Sequence, residues 1–186
     1  MRRMLCIGDS NTFGFDPRSP LGERYGADVR WTERLPGWEV VNNGINGRSI
    51  PSAREYADSQ RFFSSQAFDA AAVMLGTNDL LQGASAADAA ESIEPFLRFL
   101  QGIAGGTKLL LIAPPPFQPG EWVTQESQIR ESRKLAGAYA SLAQKLDIAF
   151  ADAGRWGVRL CFDGVHFTPE GHAAFATGLS EVLKRI

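Results

Sequence analysis

Acyl transfer by a side chain needs a nucleophile, a base beside it, and N–H donors aimed at the oxygen that becomes negative. The sequence offers few candidates for the base. It contains 2 histidines, His166 and His172. His166 lies in Asp163-Gly164-Val165-His166-Phe167-Thr168. A carboxylate at that spacing can fold back within one turn and hold one ring nitrogen, which leaves the other free to accept a proton. His172 follows Gly171 inside a helical pattern and has no such partner, so it reads as a packing or surface histidine. Ser10, in Gly8-Asp9-Ser10-Asn11, directly follows a short apolar run. By itself it reads as a helix N-cap, and a serine hydroxyl without a base is a weak nucleophile. Asp9 reads as a brace for that turn.

Donors can be proposed in the same way. Gly47 can present an unobstructed backbone N–H, Asn78 a side-chain amide, and Ser10 its own backbone N–H. One such donor is worth about 2.7–4 kcal/mol in acyl transfer. Singly, Gly44 and Gly47 are turn residues and Asn78-Asp79 is a capped helix start. Their joint placement at the ends of strands is what carries weight.

Five apolar runs read as buried strands: Met4–Ile7, Trp38–Val41, Ala70–Leu75, Lys108–Ala113 and Ile148–Ala151. They stop at Gly8, at Asn42-Asn43-Gly44, at Gly76, at Pro114–Pro116 and at Asp152. Helical patterns lie between and after them, over Ser52–Phe63, Ala86–Gln101, Gln125–Leu146 and Pro169–Ile186. Thr168, Pro169 and Glu170 supply an N-cap, a first-position proline and a first-turn acid. Alternating strands and helices imply an α/β fold with a parallel sheet covered on both faces. Ligands of such sheets bind beyond the carboxyl ends of the strands, where Ser10, Gly47, Asn78 and the Asp163–His166 segment fall. The irregular stretch Phe13–Asp28 reads as a functional loop over that edge.

Composition narrows the partners. The 186 residues fit one domain, with 44% hydrophobic and 22% charged residues, which is ordinary globular usage. A net charge of −2 and no basic cluster beyond Arg2-Arg3 and Lys184-Arg185 argue against nucleic acid. Cys6 and Cys161 have no metal-ligand spacing and read as reduced thiols. The apolar run after Arg2-Arg3 is too short for a signal segment and no window resembles a membrane span, so a soluble, cytoplasmic chain is expected.

The same residues, in the same order, resemble the sequence blocks of the SGNH (GDSL-type) hydrolases. Gly8-Asp9-Ser10 resembles the first block, Gly44-Ile45-Asn46-Gly47 the second, Gly76-Thr77-Asn78-Asp79 the third and Asp163-Gly164-Val165-His166 the last. The resemblance implies a three-layer, flavodoxin-like sandwich over 1–186, with a five-stranded parallel sheet in the order 2-1-3-4-5. It implies a catalytic triad of Ser10, His166 and Asp163. Ser10 N–H, Gly47 N–H and the Asn78 side chain would form the oxyanion hole, with no metal or organic cofactor. Asp28-Val29-Arg30-Trp31-Thr32, Pro114–Pro116, Asp152-Ala153-Gly154 and His166-Phe167-Thr168 are similar to a bacterial arylesterase/acyltransferase branch. That branch favours short acyl esters, passes acyl groups to acceptors other than water, and includes large homo-oligomers.

The expected chemistry is attack of Ser10 Oγ on a small-molecule ester, with His166 taking the proton and the acyl-enzyme then released. Asn11, Phe13, Trp31, Pro115 and Val165 are expected to line the pocket, Asn11 because it stands where the family commonly has leucine. Arg48 is expected to buttress its loop. Three other readings stay open from sequence: a carbohydrate O-acetyl esterase with the same machinery, a non-catalytic small-molecule binding domain, and a nucleotide binder. The last is weakest, because the first strand-to-helix turn has one glycine where a phosphate loop needs several.

Overall fold

The computed structural model describes residues 1–186. Strands β1 (Arg2–Gly8), β2 (Trp38–Gly44), β3 (Ala70–Met74), β4 (Lys108–Ala113) and β5 (Ala149–Asp152) form one parallel sheet in the order β2-β1-β3-β4-β5. Around it lie helices α1 (Ser10–Phe13), α2 (Tyr56–Ser65), α3 (Thr77–Leu81), α4 (Ala86–Ile103), α5 (Glu126–Leu146) and α6 (Pro169–Leu183).

The unbroken apolar runs follow from burial on two faces. Along a strand, side chains alternate between faces. Leu5 and Ile7 of β1, with Leu109, Leu111 and Ala113 of β4, enter one core. Met4 and Cys6, with Leu110 and Ile112, enter the other. The first core is covered by Ile93, Phe96, Leu97 and Leu100 of α4 and by Leu135, Tyr139 and Leu142 of α5. The second is covered by Phe175, Ala176, Leu179 and Leu183 of α6 and by Trp31. The result is three layers.

Differences from the sequence expectations are local. Asn42-Asn43-Gly44 continues β2 rather than ending it. Asn42 satisfies its own amide there: Nδ2 donates to Thr12 O (2.8 Å) and Thr32 Oγ1 (3.1 Å), and Oδ1 accepts from Gly44 N–H (2.9 Å). As an edge strand β2 keeps no fully buried residue, so polar side chains are tolerated. The Ser52–Phe63 pattern resolves into a 3₁₀ turn, Ala53–Glu55, and then α2. The final helix stops at Leu183. Its start matches expectation, with Thr168 Oγ1 accepting from Gly171 N–H at 3.0 Å and Pro169 in the first turn. No helix is long and apolar enough to cross a membrane.

Candidate active site

β1 delivers Ser10 to the carboxyl edge of the sheet through a turn that needs Gly8, since a Cβ there would overlap the Thr12 side chain. Asp9 caps α1, its Oδ1 accepting from Asn11 N–H at 2.9 Å. Burial raises the Asp9 carboxyl above the ordinary carboxylate range, against the Asn11 bond that lowers it. Its side chain braces the turn and does not reach the Ser10 hydroxyl bond.

Segments far apart in the chain converge on that turn. His166 Nδ1–H donates to Asp163 Oδ2 at 2.7 Å, and Ser10 Oγ–H donates to His166 Nε2 at 2.9 Å. The carboxylate at Nδ1 fixes this tautomer. Asp163 Oδ1 also accepts the backbone N–H groups of Val165 (2.8 Å) and His166 (2.9 Å). Burial alone would raise the Asp163 carboxyl, but these bonds and the nearby imidazole hold it below its ordinary range. Asp163, His166 and Ser10 are 0%, 2% and 6% exposed, so the chain of bonds is screened from bulk water.

Asn11 joins the two halves. Its Nδ2 donates to Val165 O and its Oδ1 accepts from Phe167 N–H, each at 3.1 Å. Trp31 Nε1–H donates to Asn11 O at 2.9 Å. This corrects several pocket-lining expectations. Asn11 is a buried clamp between the serine turn and the histidine loop. Trp31 is 1% exposed and packs on Phe175 in the core. Val165 belongs to the larger core cluster, and Pro115 is buried. Only Phe13 keeps partial exposure, with the Arg24 guanidinium 5.3 Å from its ring centre. An aromatic or apolar residue near a motif does not reveal from sequence whether it faces a cleft or the core.

The donor side is strapped together. Asn78 lies in the first turn of α3, and its Nδ2 donates to Arg48 O at 2.9 Å, which orients the amide and leaves it a second N–H. Arg48 is a buttress, as expected: Nη1 donates to Asn43 O (2.6 Å) and Gly8 O (3.3 Å). Gly47 sits at φ +72°, and the turn beside it is closed by Arg48 N–H to Ile45 O at 3.2 Å rather than by the Gly47 N–H. Asp79 accepts from Ile50 N–H at 3.1 Å, tying the Gly47 loop to the Asn78 turn. Sequence reasoning gave Asp79 no role of its own.

Two aromatic residues beside the imidazole were also missed. Phe15 and Trp122 place their ring centres 4.7 and 4.9 Å from that of His166. His172 is 1% exposed and packs edge-on to Tyr25 and Phe167. No group of three or more His, Cys, Asp or Glu side chains is placed to hold a metal ion.

The chain is similar to known acylhydrolases and esterases. A family model described as GDSL-like lipase/acylhydrolase matches residues 6–174. No curated protein matches the chain by sequence. Among solved structures, an aryl esterase of M. smegmatis superposes with a TM-score of 0.86 at 28% identity, covering 100% of this chain and 99% of that one. A carbohydrate acetylesterase family member from Sinorhizobium meliloti superposes with a TM-score of 0.83 at 25% identity, covering 100% and 98%. With most of its length matched by that model, the chain belongs to the GDSL-like lipase/acylhydrolase family and is a carboxylic ester hydrolase.

Proposed function

We propose that the protein hydrolyses short-chain acyl or aryl esters through an acyl-enzyme on Ser10. The observation that carries this reading is the 2.9 Å contact between Ser10 Oγ and His166 Nε2, backed by the 2.7 Å contact between His166 Nδ1 and Asp163. In this mechanism Ser10 Oγ attacks the ester carbonyl while Nε2 takes its proton. The oxygen that becomes negative is met by Ser10 N–H, Gly47 N–H and the second N–H of Asn78. His166 returns the proton to the leaving alcohol. Water, activated by the same nitrogen, then attacks the acyl-enzyme and releases the acid and Ser10. An acceptor alcohol in place of water would give acyl transfer by the same steps.

A carbohydrate O-acetyl ester is the second substrate class, favoured by the likeness to the S. meliloti carbohydrate acetylesterase family member. The M. smegmatis aryl esterase favours the first. The machinery proposed here serves either, so acetylated sugars and aryl acetates should be assayed side by side.

Ser10→Ala tests the core of the proposal. Turnover of 4-nitrophenyl acetate should vanish, together with covalent labelling by an organophosphonate, while the unfolding transition is retained. Turnover at the parent rate would remove Ser10 from the mechanism.

A further inference from the structure

The segment after β4 matches none of the motifs that located the site, yet it is built against the histidine loop. Buried Phe117 and Val123 anchor its two ends in the core, and Phe117 N–H donates to Ser132 Oγ at 2.9 Å. Between them the main chain is stitched to the loop that carries Asp163. Gln118 N–H donates to Gly164 O (3.1 Å), Glu121 N–H to Phe162 O (3.2 Å) and Trp122 N–H to Asp163 O (3.1 Å). The backbones touch so closely that a Cβ on Gly120 would overlap the main chain of Asp163 and Gly164. A Cβ on Gly164 would overlap Gln118 O, and Gly164 also sits at φ +82°.

Trp122 rides on this fixed segment. Its indole meets the imidazole of His166 edge-on, at 84° between the ring planes. Phe15, from the loop after α1, contacts the same imidazole at 57°. Trp122 is 51% exposed, whereas the ring it touches is 2% exposed. A half-exposed indole buries only part of its surface, and the aromatic ring it meets is that of His166. Two hydrogen bonds alone leave the imidazole able to swing about its side-chain torsions, a motion that would carry Nε2 away from Ser10 Oγ. A ring carried on a segment bonded to the Asp163 loop opposes that swing.

We infer that Trp122 is a positioning residue: it holds the His166 imidazole in the orientation that keeps Nε2 on Ser10 Oγ. It acts through His166 and takes no proton itself. Phe15 supplies the second contact, and the backbone stitching of Gln118–Trp122 onto Phe162–Gly164 keeps the indole and the carboxylate in one frame.

This inference rests on the Ser10–His166 reading above and is tested in the full-length protein with Trp122→Ala and Trp122→Phe. The measurements are kcat and KM for 4-nitrophenyl acetate, the unfolding midpoint, and the low-field proton NMR signal of His166 Nδ1–H. Trp122→Ala should lower kcat by roughly 10- to 100-fold, the scale of a misplaced reacting group. Its KM should change by less than about threefold, its low-field signal should broaden, and its unfolding midpoint should hold. Trp122→Phe, which keeps a ring in place, should recover most of kcat and sharpen the signal. Unchanged kcat in Trp122→Ala, a loss confined to KM, or equal impairment in both variants would overturn the positioning role. The two readings fail separately. Full turnover by Ser10→Ala defeats the mechanism, whereas unchanged kcat in Trp122→Ala with an inactive Ser10→Ala defeats this inference alone.

Discussion

His166 and His172 lie a short stretch apart, and both rings are closed to solvent. Their surroundings differ in one respect that matters. Both ring nitrogens of His166 are bonded, one to a carboxylate and one to a hydroxyl. Nδ1 of His172 is buried without a hydrogen-bond partner. Burial, with the charges of Arg34 and Arg30, pushes the pKa of His172 down from 6.5 to about 4, with Asp16 opposing weakly. Burial by itself thus makes a histidine reluctant to take a proton. A base that must accept one in the interior needs a carboxylate beside it, and Asp163 supplies that only to His166.

The sharpest attack on this contrast is to remove the carboxylate. Asp163→Asn should lower kcat by on the order of 10⁴-fold, because the amide no longer favours the tautomer with Nε2 free. His166→Ala should cost at least as much, and the double variant little more than His166→Ala alone, since groups that act as a unit are not additive. Steady-state rates on 4-nitrophenyl acetate check all three. A fully active Asp163→Asn enzyme would reduce His166 to a second His172.

The next effect belongs to stability. Above about pH 6.5, His172 is neutral in both folded and unfolded chains. As the pH falls from 6.5 towards 4, the unfolded chain takes up a proton that the folded one refuses, so stability drops and then levels off below about pH 4. The shift corresponds to about 3 kcal/mol at most. Asp9 and Asp79, both raised by burial, act with the opposite sign. The His172 share is therefore the difference between the parent and His172→Leu in denaturant titrations at several pH values. Parallel curves for the two proteins would contradict it. The smallest effect is on rate: His172→Leu should keep kcat within about threefold of the parent, since it touches neither Ser10 nor Asp163. Inactivity comparable to His166→Ala would erase the distinction between the rings.

Sequence alone separated the two histidines because the deciding feature, a carboxylate at turn spacing, is local. The strands β1, β3 and β4 were legible for a similar reason, since burial on two faces writes itself as an apolar run. The stitching of Gln118–Trp122 to the histidine loop was not legible. It uses backbone N–H and C=O groups, which every residue type offers, and glycines whose need shows only when the two backbones meet. Asn11 was misread because an amide suits a pocket wall as well as a buried clamp. Trp31 was misread because its ring is equally at home in a cleft or against Phe175. Asp79 was passed over because its partner, Ile50 N–H, lies in a distant turn.

The contact between Ser10 and His166 bridges a separation of 156 positions. During synthesis the serine leaves the ribosome 156 residues ahead of its imidazole partner. A chain that stops short of His166 therefore carries a serine hydroxyl without its base. On the proposed mechanism, ester cleavage waits both for translation through His166 and for the folding that brings the two segments together.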